Sequence, residues 1–382
     1  MEERNLIMVP GPTNVPDRVM RAMTRPMINH RGSEFQNLYK GLVESLRYVF
    51  QTEGHVFILT ASATGGVECA ISNIVNPRDK IVIPVFGLFS ERLKEKIIRR
   101  GGEAIELPLQ WGKAPKADQI ERIMEKESDV KAIAVVYNET STGVTVRDLP
   151  EMGKIAEDNG ALFMVDAVSI LGGEQLPVDK WNVDICVTGS QKCLACPPGL
   201  ALISVSDKTW ETIEKTSRPF YFDLLEMKRF GDRYETPYTP AVPLFFALDE
   251  ALKMIRDEGL EKRFERHKIC AEAFYDAIEG LNLTSLPEKE ERSHTVIALR
   301  RPPEVNNADV RRIMKERYKV VISGGAGKLR DEIFRIGCMG MVSEAEVMQT
   351  VCALENALAE MGYLLRAGAG AEAARRRFIS KN

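Results

Sequence analysis

VFILTA (56–61), KIVIPV (80–85), EAIELPL (103–109), KAIAVVYN (131–138), ALFMVDAV (161–168), DICVTGS (184–190) and LALISVS (200–206) punctuate the chain between Val56 and Ser206. Each run is short and β-rich, and helical patterns lie between them, the alternation of an α/β domain with a mostly parallel sheet. Several runs are apolar throughout instead of alternating, so they predict strands covered by helices on both faces. The sheet is then the middle of a three-layer αβα domain. Between the strands, Glu91–Arg100, Lys116–Lys126 and Leu149–Asn159 have the apolar spacing and charged faces of amphipathic helices.

Beyond this block the pattern changes. Leu244–Ala277 reads as one long helical stretch, TVIALR, KVVISGG and EIFRIG suggest a small sheet, and a helix is expected from Glu344 to about Leu365. The predicted organisation is an N-terminal segment over 1–20, a large domain over 21–243 and a smaller C-terminal α+β domain over 244–366. Residues 367–382, Ala-rich and basic at the end, read as a frayed helix or mobile tail.

Composition bounds the function. With 382 residues the chain can bury a large core, and 52 basic against 55 acidic residues give no bulk attraction to nucleic acid or acidic membrane. No apolar run is long enough to span a bilayer, and MEERNLIMVPGPTNVP lacks a signal-peptide pattern. Seven scattered cysteines make no disulfide framework, so a cytoplasmic setting is expected. Cys193 and Cys196 form a C-x-x-C without a second ligand pair, and no metal site is expected.

Three elements carry chemistry. In TASATGGVECAI, Ser62, Ala63 and Thr64 open a helix whose free N–H groups suit an anion such as phosphate, although Ser and Thr are also common helix caps. In FMVDAVS, Asp166 ends a buried strand, where a carboxylate needs a cation, several hydrogen bonds or a turn to cap. In GSQKCLACPPG, Lys192 sits in the loop leaving another buried strand, whereas a loop lysine is ordinarily solvated. No G-x-G-x-x-G opens that first helix, and SGGAGKL (323–329) is not a P-loop.

Cradle, acid and lysine in this order resemble the fold-type-I pyridoxal-phosphate enzymes, and more narrowly the class V aminotransferases of the alanine-glyoxylate/serine-pyruvate branch. The resemblance is carried by PGPTNVP (10–16), YVFQT (48–52), NETSTGV (138–144), VDAVSILGG (165–173), GSQKCLACPPG (189–199), TPYTPAVP (236–243) and FRIGCMG (334–340). It implies pyridoxal 5′-phosphate held on Lys192, with Asp166 on the pyridine nitrogen and Val168 and Phe89 on the two ring faces. Phe89 stands where the family has Trp, and Thr64 where animal members have His. Ser62, Ala63, Thr64 and Gln191 would hold the phosphate, and Ser141 would reach the phenolic oxygen. Thr239 would reach the phosphate from a neighbouring subunit, implying a homodimer with shared sites; Thr236 replaces a Tyr that supplies a second such contact. Arg335 would grip the substrate α-carboxylate, Pro10-Gly11 would line the entrance, and Arg31, beside His30, would contact substrate across the dimer, where it could serve a second carboxylate in an aspartate-accepting enzyme. The implied activity transfers an amino group from alanine or serine to a small 2-oxo acid, glyoxylate or pyruvate. An aspartate aminotransferase, a desulfurase or lyase, and a non-catalytic complex subunit are the alternatives. A persulfide role for Cys338 is disfavoured because it follows Arg335 in sequence.

Overall fold

The computed structural model describes residues 5–363 and 366–380. All seven runs become strands of one sheet, in the spatial order His55–Thr60, Leu200–Val205, Ile185–Gly189, Leu162–Asp166, Val130–Val136, Lys80–Val85 and Glu103–Pro108. Leu200–Val205 runs antiparallel to both its neighbours, and the other six strands point the same way. Every residue of the three strands Leu162–Asp166, Ile185–Gly189 and Leu200–Val205 is buried, as their continuous apolar character requires. At the Glu103–Pro108 edge, Glu103 and Glu106 stay exposed, as suits an edge strand. The three expected helices form as Leu88–Arg99, Ala117–Met124 and Leu149–Asp158.

The C-terminal region differs in detail. The single stretch expected over 244–277 is two helices, Val242–Glu258 and Leu260–Gly280, parted at Gly259 with φ +80°. The first buries Phe245, Phe246 and Leu252 in the core of the large sheet, and the second buries Phe274 and Ile278 in a separate core with Ile297 and Phe334. The two cores therefore divide near Gly259 instead of at residue 243. Helical spacing identifies an apolar face but not the core it meets.

The small sheet is Val296–Arg300, Ile333–Gly337 and Ser323–Gly324, all antiparallel. The first half of KVVISGG goes elsewhere: Val320–Val321 pairs in parallel with Leu6–Ile7. The N-terminal segment is thus stitched to the C-terminal domain before it passes the large sheet. The last long helix runs Glu344–Glu360, and Leu365 lies outside the described residues. Within the expected tail, Ala369–Ile379 is a docked helix. It buries Ala374, and Arg377 Nε and Nη2 donate to the Asp276 carboxylate at 2.7 and 3.0 Å. Small residues make this possible, since a Cβ on Gly280 would approach the Ala369 carbonyl to 3.0 Å.

Candidate active site

Six strands that point one way bring their C-terminal ends to one edge, where ligands of open α/β sheets bind. Ser62 follows Thr60, Phe89 follows Val85, Asn138 follows Val136, Asp166 ends its strand, and Lys192 follows Gly189. A cavity of about 310 Å³ opens there, and its lining includes Gly11, Ser62, Ala63, Thr64, Phe89, Asp166, Val168, Gln191 and Lys192. Nine of the residues singled out from sequence thus share one wall system.

Lys192 is buried, and its Nζ donates to the Pro10 carbonyl. Burial lowers its amine to about 8; the nearby Arg335 guanidinium acts in the same direction, and Asp166 opposes it. Gly11 is required beside it: φ is +87°, and a Cβ there would fall 2.4 Å from Cδ of Lys192. Asp166 is also buried, and burial raises its carboxyl to about 6, although the Val168 N–H donates to Oδ1 at 3.0 Å. Ser62 caps the Ala63–Ile74 helix by accepting from the Gly65 N–H at 3.4 Å. The Ala63 and Thr64 N–H groups have no partner among the described residues, so they face the cavity as free donors.

Four residues lie outside this cavity. Ser141 is buried, accepting from the Leu88 N–H at 2.9 Å and donating to Glu139 Oε1 at 2.5 Å. Its neighbours Asn138 and Thr140 line the wall in its place. Arg335 reaches the cavity's margin from the small sheet: Nε donates to the Gly324 carbonyl at 2.9 Å and Nη1 to the Thr140 carbonyl at 3.1 Å. Nη2 has no hydrogen-bond partner among the described residues. Arg31 is turned away, donating to the carbonyls of Thr236 and Pro237 at 2.5 and 2.9 Å and pairing with Glu235 at 3.3 Å. It braces the loop that carries Thr239, and within one chain it touches no part of the Lys192 cavity. Thr239 lines a different pocket with Tyr39, Phe57 and Tyr238. The Thr236 hydroxyl is spent on the Tyr238 carbonyl at 2.7 Å.

Sequence reading missed Glu139. It is fully buried, and its carboxylate accepts from the N–H groups of Phe89, Ser90 and Ser141 and from the hydroxyls of Ser90 and Ser141. It fixes the first turn of the Leu88–Arg99 helix, and with it Phe89. The available signal was its place inside NETSTGV, directly after a buried strand. Arg92 and Lys96 of the same helix also line the cavity and were not anticipated.

A sequence model of the family described as aminotransferase class-V matches residues 8–331. An uncharacterized aminotransferase of Methanocaldococcus jannaschii is 42% identical over 363 residues, covering 94% of each chain. The chain belongs to the class-V aminotransferases. Other class-V relatives include the serine–glyoxylate aminotransferase of Methylorubrum extorquens, 36% identical over 97% of this chain and 95% of that one. A protein of Synechococcus named as the small subunit of a soluble hydrogenase is 36% identical over 98% and 99%. Among solved structures, the ureidoglycine-glyoxylate aminotransferase of Bacillus subtilis superposes with a TM-score of 0.93 at 29% identity, covering 99% of both chains.

The cofactor of this class-V aminotransferase is pyridoxal 5′-phosphate, and the cavity suits it. A carboxylate, an amine, an aromatic ring and two free N–H groups converge there. Gln191 Oε1 is buried without a partner, and a Cβ on Gly189 would come 2.7 Å from it. A buried polar atom of that kind is costly until a ligand or water satisfies it. Among the described residues no group of three or more His, Cys, Asp or Glu side chains is placed to hold a metal, and no helix is long and apolar enough to cross a membrane.

Proposed function

We propose that this aminotransferase moves the amino group of alanine or serine to a small 2-oxo acid such as glyoxylate or pyruvate. The observation that carries this reading is the pair of arginines. Arg335 keeps Nη2 available beside Lys192, whereas Arg31 is consumed by the 235–237 loop. One carboxylate of the substrate therefore has a guanidinium waiting, whereas Arg31, the residue that could serve a second carboxylate as in aspartate, is engaged by the 235–237 loop of its own chain. The compact cavity and the glyoxylate-using relatives support the same choice.

In this proposal pyridoxal phosphate supplies the electron sink that stabilises negative charge at the substrate α-carbon. The chain does the rest. Asp166 would accept the ring N–H and keep that nitrogen protonated, Val168 and Phe89 would enclose the ring, and Arg335 would hold the α-carboxylate through its guanidinium. Lys192, whose amine burial has made easier to deprotonate, would take the α-proton at Nζ and return it on the far side of the amino nitrogen, two bonds from where it left. The Pro10 carbonyl holds that amine in place.

A homodimer belongs to the proposal. Its support is the braced loop carrying Thr239 and the exposed rings beside it, Phe220 and Tyr221, which pack with Tyr238. A cytoplasmic setting is proposed on seven cysteines that are all unpaired. The deciding experiment presents single amino acids to the purified enzyme and follows loss of the cofactor's visible absorption. Alanine or serine should convert it faster than aspartate; equal conversion by aspartate sinks the assignment. A purified protein that converts none, though it binds the cofactor, favours the complex-subunit alternative.

A further inference from the structure

The Leu88–Arg99 helix presents Phe89, Arg92, Leu93 and Lys96 to the cofactor cavity, positions i, i+3, i+4 and i+7 of a single stripe. Phe89 has a family role; the two cations have none assigned. Neither Arg92 nor Lys96 has a carboxylate within ion-pair distance among the described residues, although Glu95 of the same helix pairs with Arg99 at 2.6 Å. Arg92 lies over the Phe89 ring, 5.3 Å from its centroid. Lys96 is half-buried, and its Nζ has only the Arg92 carbonyl at 3.4 Å. Burial lowers the Lys96 amine, and the strongest opposing charge it senses is Asp166, inside the cavity.

A second cavity, of about 500 Å³, adjoins the first, and the two share Thr64, Arg92 and Lys96 in their linings. The shared wall is therefore the end of the cavity where the free N–H groups of Ala63 and Thr64 lie. Arg335 lines neither cavity. Among the ionised groups of the first cavity, Lys192, Arg92 and Lys96 face only Asp166. With Lys192 taken up in holding the cofactor and Asp166 set against its ring nitrogen, Arg92 and Lys96 remain as two positive charges, which a phosphate dianion at the Ala63–Thr64 end would neutralise; Glu68 and Glu95 line only the adjoining cavity, where Arg99 and Arg100 accompany them.

We propose that Lys96, assisted by Arg92, is a binding residue for the cofactor's 5′-phosphate. The proposal rests on the pyridoxal-phosphate reading of the cavity, and it adds a cationic contact to a cradle otherwise made of N–H groups, hydroxyls and Gln191. The test compares the affinity of the cofactor-free enzyme for pyridoxal phosphate and for pyridoxal, read from visible absorption without turnover. Lys96→Gln should weaken pyridoxal phosphate by roughly 10- to 100-fold and leave pyridoxal within roughly twofold, the loss of one charge-assisted contact. Lys96→Arg should restore most of the affinity, which separates loss of charge from loss of fold. Unchanged affinity for pyridoxal phosphate overturns the proposal, and so does an equal loss for both ligands. A variant that binds the cofactor normally but loses aspartate turnover selectively would assign the cation to a substrate carboxylate instead. If the wild-type enzyme binds neither ligand, the cofactor reading itself fails, a result distinct from any of these.

Discussion

Asp166 shows how a single residue is held in a costly state for the sake of chemistry. Burial raises its carboxyl from the ordinary value of 3.8 to about 6. Between about pH 4 and 6 the folded chain keeps the proton that the unfolded chain has lost, so this group's contribution to stability falls as pH rises through that window. Above pH 6 the penalty is complete. Cofactor-free Asp166→Asn should then be more stable than wild type at neutral pH, by roughly 1–3 kcal/mol, with the difference shrinking toward pH 4. The same variant should bind pyridoxal phosphate more weakly and lose most turnover. Urea unfolding across pH tests the first part; a variant no more stable at pH 7.5 than at pH 4, relative to wild type, contradicts it. Arg335→Lys addresses the other end of the substrate. A lysine cannot reproduce a two-bond grip, so KM for amino acids should rise by the equivalent of about 1.5–3 kcal/mol, while amines without a carboxylate should be little affected. Equal effects on both would make Arg335 a structural residue.

At the scale of the element, the Leu88–Arg99 helix depends on a residue fifty positions away. Glu139 takes the place of a side-chain cap that Gly87 cannot supply, and it satisfies backbone donors that would otherwise be orphaned in the interior. Glu139→Ala should cost about 2–4 kcal/mol in unfolding free energy and release Phe89 from its position. Thermal or urea denaturation measures the first effect, and quenched cofactor fluorescence the second; a loss below 1 kcal/mol would mean that water replaces the carboxylate. This element also marks where sequence reading stops. The strand and helix are legible from apolar spacing, and NETSTGV is visible as a motif, but the hydrogen bond from the Ser141 hydroxyl to Glu139 is not, because which buried acceptor a short side chain behind the wall finds is settled by packing. Arg31 follows the same logic: its guanidinium is satisfied by carbonyls of the 236–237 loop, which no local pattern brings next to residue 31.

Across the whole molecule, one side chain ties the two cores together at the active site. Arg263, on the Leu260–Gly280 helix, is fully buried and donates to the carbonyls of Gly172, Cys193 and Gly340, while Glu258 pairs with it at 2.7 Å. Cys193 directly follows Lys192, and Gly340 follows the strand that carries Arg335. Arg263→Met should leave the Gly172 and Cys193 carbonyls without a donor, while Arg266 still serves Glu258 and the Gly340 carbonyl, and should cost about 2–4 kcal/mol, read as a fall in midpoint on denaturation. A variant of wild-type stability would remove it as a strut. The proposed dimer is testable at this scale too. Hybrids of inactive Lys192→Ala with inactive Thr239 variants should regain activity when one site receives both intact residues, and a fully active monomer would refute sharing.

Local order in the chain was sufficient for the seven strands, the large αβα layer and the order of cradle, acid and lysine. Those features depend on runs of five to twelve neighbours, whose apolar period and turn residues are written in sequence. The fold's long-range decisions were not. The break at Gly259, the pairing of Leu6–Ile7 with Val320–Val321 and the docking of Ala369–Ile379 each depend on which apolar face meets which core. Glu139 and Arg263 share that status, since what a buried charge does is set by partners 50 to 91 residues away, and only the closed chain brings those partners within reach.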